Sequence, residues 1–176
     1  MRSLIHFGYL PDSRTQKILD FFIENHDADM GGWPCRAYPI NAASVFPANC
    51  FMGGVKPLLA FSKIPKNDRP PALQQIIDQE IETCLQNHVF KYLRGKKGNR
   101  KAKTGWTWFG FPLFYQSDAL EAVDMLTAFN VRDERMQPAF DLVIKTQQDD
   151  GTWLLENSVA NGKMWIDIDE KGKPSK

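Results

Sequence analysis

The sequence predicts an all-α chain made of repeated helix pairs. Three observations carry this. Apolar residues return at helical spacing in five separate stretches. No stretch alternates apolar and polar residues for more than a few positions, as a half-buried strand would. One helical stretch also recurs later in the chain together with the turn that follows it.

The elements follow in order. The first helix covers about 12–26, with Ile18, Leu19, Phe22 and Ile23 as its apolar stripe and Asp12 or Ser13 as its cap. A second, about 53–63, is apolar nearly all round (Val55, Leu58, Leu59, Ala60, Phe61), which marks a helix buried on several sides. Its Pro57 predicts a late start or a kink. After Pro70-Pro71, the stretch 71–90 carries Leu73, Ile76, Ile77, Ile81, Cys84 and Leu85 on one face. About 118–129, Ala119, Ala122, Val123, Leu126 and Phe129 form another apolar face, and at 134–147 Met136, Phe140, Val143 and Ile144 follow the i, i+4, i+7, i+8 rule.

The repeat links these pieces. Asp12, Arg14, Gln16, Asp20 and Ile23 recur as Asp133, Arg135, Gln137, Asp141 and Ile144, an offset of 121. Both segments close on an acid, a glycine turn and a tryptophan: Asp29-Met30-Gly31-Gly32-Trp33 and Asp149-Asp150-Gly151-Thr152-Trp153, now offset by 120. A weaker middle copy ends at Cys84-Leu85-Gln86-Asn87-His88 and aligns with Phe22 to His26 at an offset of 62. We expect one domain over 1–176 with units of roughly 12–63, 71–130 and 133–176, the last incomplete.

Composition narrows the classes. At 176 residues and 43% hydrophobic, the chain is long and apolar enough to bury a core. A net charge of +1 implies no general attraction to nucleic acid, and no nucleic-acid module is present. No apolar run reaches membrane-spanning length, and Met1 to His6 lacks the apolar run of a signal peptide. The three cysteines therefore read as cytoplasmic thiols or ligands.

Gln147-Gln148-Asp149-Asp150-Gly151-Thr152-Trp153, preceded by Ala139-Phe140 and Leu142-Val143-Ile144, resembles the Gln-Trp motif of squalene and oxidosqualene cyclases. Protein prenyltransferase β subunits share their α/α-toroid fold. The resemblance implies a partial toroid of inner and outer helices, with the remainder of a longer toroid as a partner, and a bound isoprenoid or other apolar small molecule. It implies either a cyclase-like or prenyltransferase-like enzyme, or a non-catalytic lipid- or protein-binding repeat module. Cyclases of the family protonate their substrate with an Asp-x-Asp-Asp motif. The aligned stretch here is Tyr115-Gln116-Ser117-Asp118, so Ser117 stands where the family has its proton donor and only Asp118 survives. Asp118 reads either as an acid or as a helix cap.

Prenyltransferases of this fold hold zinc through an aspartate, a cysteine and a histidine. No Asp-x-Cys pair occurs here, but Cys35, Cys50 and His88 form a candidate ligand set, and Cys84 and His88 stand four apart, as on one helix face. His88 is also the second polar candidate beside Asp118 for a catalytic role. The alternative is that these cysteines are small buried hydrophobes. Trp106, Trp108, Phe111, Phe114 and Tyr115, within a run that also holds Phe109, either line a ligand cavity or pack an ordinary core. Lys91, Arg94, Lys96, Lys97, Arg100, Lys101 and Lys103 form a basic loop with no acid in it, leaving 15 basic against 21 acidic residues elsewhere, a net of −6. Such a loop either meets a diphosphate, an anionic membrane at its periphery or RNA, or is simply a solvated mobile loop.

Overall fold

The computed structural model describes residues 1–29, 31–33, 51–93, 100–103, 105–158 and 170–174. Half of it is helical and 5% is strand, which makes the chain all-α. The helices are α1 (Arg2–His6), α2 (Ser13–Glu24), α3 (Phe51–Phe61), α4 (Pro71–Gln86), α5 (Ala119–Ala128) and α6 (Gln137–Lys145). A short hairpin, β1 (Lys91–Leu93) and β2 (Arg100–Ala102), separates α4 from α5. No helix among the described residues is long and apolar enough to cross a membrane. The chain divides into two compact units, Met1–Thr83 and Cys84–Lys176.

In the first unit, Asp12 caps α2 by accepting from the Arg14 backbone N–H at 2.8 Å and from the Arg14 guanidinium. That pairing holds the Asp12 carboxyl down at about 2. Thr15 and Leu19 of α2 are buried, as are Val55, Leu58, Leu59 and Phe61 of α3 and Leu73, Ile76 and Ile77 of α4. Trp33 sits among Phe22, His26 and Phe61, its ring edge-on to Phe22 (5.7 Å between centroids) and to His26 (5.0 Å). Edge-to-face packing of this kind adds to the burial term. α3 begins at Phe51, before the expected start, and takes Pro57 inside it. That costs the helix the bond that would return to Gly53.

In the second unit, α5 and α6 pack together, with Ala119, Ala122, Met125, Leu126, Met136 and Ala139 fully enclosed. The small alanines let the two helices approach closely. The expected helix 134–147 is two pieces: a 3-10 turn at Glu134–Met136, then α6 with Pro138 in its first turn, where a missing N–H is harmless. α4 ends at Gln86, short of the expected residue 90. His88 and Val89 both adopt left-handed backbone, and the Val89 N–H turns back to the Cys84 carbonyl at 2.9 Å. The flanks of the expected basic loop are strands instead, pairing Lys91 with Ala102 and Leu93 with Arg100 in antiparallel register.

The segments that repeat in sequence make the same bonds. Asp133 holds the Arg135 backbone and guanidinium as Asp12 holds those of Arg14, and its carboxyl is likewise held at about 2. The Trp33 indole N–H donates to the Phe22 carbonyl at 2.7 Å, and that of Trp153 to Val143 at 2.8 Å. The turns between close similarly. The Asp27 N–H donates to the Gly32 carbonyl (3.0 Å) and the Gln148 N–H to that of Thr152 (2.8 Å). Gly31 and Gly151 occupy left-handed backbone at φ 73° and 83°, where glycine alone is unstrained.

Candidate functional site

The aromatic segment of the second unit is fastened at its inner residues and open at its outer ones. Trp106 accepts the Ala119 N–H on its carbonyl at 2.9 Å, and the Phe109 carbonyl accepts from Glu156 and Asn157 at 2.9 and 3.1 Å. The Phe109 N–H donates to Glu156 Oε2 at 3.0 Å, and the Phe111 N–H to the Asn157 carbonyl at 3.1 Å. Gly110 is required between them, because a Cβ there would lie 2.8 Å from the Asn157 carbonyl oxygen. These bonds seat Trp106 and Phe109 in the core. Trp108, Phe111, Phe114 and Tyr115 are left 52–70% exposed.

Asp118 closes this segment. It is only 2% exposed and is the N-cap of α5. Its Oδ1 accepts from the Glu121 N–H at 2.8 Å and its Oδ2 from the Gly110 N–H at 3.1 Å. Burial pushes its carboxyl above the ordinary value and the Glu121 charge adds to this, while the two backbone N–H bonds oppose the rise. Both carboxylate oxygens are thus engaged by backbone. Ser117, in the position of the family's donor, is buried and its hydroxyl has no hydrogen-bond partner among the described residues.

His88 stands beyond the end of α4, so Cys84 and His88 do not share a helix face as their spacing suggested. The His88 Nδ1 is enclosed without a hydrogen-bond partner, and no bond joins it to Asp118 among the described residues. Cys35 and Cys50 lie outside the described residues. Among those residues, no three His, Cys, Asp or Glu side chains converge as a metal site would need.

One polar cluster escaped the sequence reading. In the first unit, His26 Nε2 meets Glu80 Oε1 at 2.8 Å, with the two side chains 3% and 6% exposed. The Gly32 N–H donates to the same oxygen at 2.6 Å. Two glycines make the space: a Cβ on Gly54 would come 3.0 Å from Oε2, and one on Gly31 3.1 Å from Oε1. The signal was present, since Glu80 lies four and three residues after Ile76 and Ile77 and four before Cys84, on the buried stripe of α4. A carboxylate on an apolar stripe must find donors inside. Here it fastens α4 to the turn before Trp33, a structural task.

No family model, curated protein or solved structure among those compared matches this chain.

Proposed function

We propose that the chain is a non-catalytic binding module of α/α-toroid type that holds an isoprenoid or another apolar ligand against its exposed aromatic segment. The observation that carries this is the outward placement of Trp108, Phe111, Phe114 and Tyr115 on a segment fastened at both ends. Large apolar side chains held at the surface by a rigid base are features of a binding face. The engagement of both Asp118 oxygens speaks for binding over acid catalysis, and the repeated tryptophan turns speak for the toroid. The test is calorimetric titration with farnesol, with an octanol control. Binding of farnesol is expected, weakened about tenfold or more when Phe114 and Tyr115 are both changed to serine, because each removes a large apolar face. A wild-type chain that takes up no farnesol defeats the proposal.

A second reading, a cyclase-like acid at Asp118, draws on one observation: burial raises its carboxyl. It requires cyclic product that disappears in Asp118→Asn.

A further inference from the structure

A groove of about 120 Å³ opens on the second unit beside Trp153, lined by Phe109, Thr146, Gln148, Trp153, Leu154 and Glu156. Its side-chain donors are spent within the protein, save for the second N–H of the Gln148 amide. The Trp153 indole N–H goes to the Val143 carbonyl, Gln148 Nε2 to the Thr146 carbonyl at 3.0 Å, and the Thr146 hydroxyl to the Leu142 and Val143 carbonyls. The other open groups are acceptors. Glu156 Oε2 accepts from the Phe109 N–H, which fixes the carboxylate and leaves Oε1 without a donor among the described residues. Gln148 Oε1 likewise accepts from no side chain among the described residues. The apolar part of the lining is two aromatic rings and a leucine. In sequence, Asp149 and Asp150 follow Gln148, against one base, Lys145, on the other side.

A site offering a fixed carboxylate, an amide oxygen and aromatic rings, with a single amide N–H left over, best complements a cationic multiple donor on an apolar stem. An anion would meet a carboxylate, and a neutral acceptor would find one amide N–H and leave the carboxylate unpaired. We infer that this groove binds an alkylguanidinium or alkylammonium group, the head of a small amine or of an arginine or lysine side chain. Glu156 forms the charge-assisted bond, Gln148 the second acceptor, and Phe109 and Trp153 flank the stem. The volume, below the range of drug-sized ligand pockets, suits one such group and not a polycyclic ligand. The site is separate from the exposed aromatics of the proposed binding face, so either assignment can fail alone.

The experiment is an amide and indole NMR titration of the full chain with butylguanidinium and with an end-blocked arginine tetrapeptide. Butylurea and the citrulline peptide serve as neutral isosteres. At about 10 mM, which fills a millimolar site, both cations are expected to move the Trp153 indole and Gln148 side-chain signals. The neutral partners are expected to leave them in place. Glu156→Gln keeps an oxygen for the Phe109 N–H and is expected to weaken both cations about tenfold with the spectrum otherwise intact. A peptide that binds more tightly than butylguanidinium identifies a protein side chain as the source, and equal affinity identifies a free amine. Silent groove signals, equal shifts from the neutral isosteres, or unchanged affinity in Glu156→Gln would each overturn the inference.

Discussion

Asp118 shows how one residue can look catalytic and act as a joint. Its two oxygens hold the start of α5 and the backbone of Gly110, so removing it releases two donors at once. Asp118→Ala should cost about 2–5 kcal/mol, a cap of about 1–2 plus about 1–3 for an orphaned backbone N–H. Asp118→Asn should be milder, because an amide oxygen still caps the helix. The pH dependence has a definite sign. With the folded carboxyl raised above 3.8, the folded chain keeps a proton that the unfolded chain has released. Stability from this group therefore falls as pH rises through the window above 3.8. Asp12 and Asp133, held at about 2, act oppositely: what they lend is present above 3.8 and is lost as pH falls through about 2. Denaturant unfolding across pH 3–7 should show the Asp118 slope in the wild type and not in the Asn variant. Glu80 is the other residue of this kind. Glu80→Ala leaves His26 and the Gly32 N–H without their acceptor and should lower stability by about 2–4 kcal/mol, with Glu80→Gln retaining part of it.

Among elements, the tryptophan turns carry the most of what was legible in the chain. The pattern of Asp, Arg and Gln ahead of a glycine turn and a tryptophan predicted like structures, and the same carbonyl receives the indole in both copies. Surroundings then separate the two. Trp33 is 8% exposed under Phe61, whereas Trp153 is half-buried and borders an open groove. Trp33→Ala should cost about 3–5 kcal/mol, and Trp153→Ala roughly half of that, in proportion to the smaller area it hides. Equal melting losses in the two variants would count against this. Helix ends were less legible. Cys84 to His88 keeps a helical spacing, but the end of α4 is set by left-handed backbone at His88 and Val89, conformations that neither residue type announces. The hairpin was hidden for another reason: three-residue strands in a lysine-rich stretch carry no alternation to read.

For the whole molecule, periodicity made the helices readable and the aromatic run named the candidate residues, while their outward placement was not readable, because they owe their positions to backbone bonds between distant segments. Phe109 and Glu156 illustrate this: 47 positions apart, they meet through a bond no local pattern encodes. The same bonds bear on activity. Protonating an alkene needs an acid activated by its neighbours, and Ser117-Asp118 offers one carboxylate, already committed to two backbone donors. Incubation with squalene or oxidosqualene should therefore give no cyclic product above a no-protein control by mass spectrometry. A consequence of the two turns concerns how this chain can change length. The Gly31 N–H reaches back four residues to Asp27, and the Gly151 N–H reaches back three to Gln148. The step from an offset of 121 to 120 is thus absorbed inside one closed loop, and the indole anchor on either side is unaltered. The loop works as a splice point, a place where residues can be gained or lost without disturbing its flanks. Inserting one glycine between Asp149 and Asp150 gives the second turn the length of the first. It should change stability by less than about 1 kcal/mol, since lengthening a loop adds little closure entropy. The same insertion inside α6 should be far more damaging, because it rotates every later side chain on that helix by about 100°.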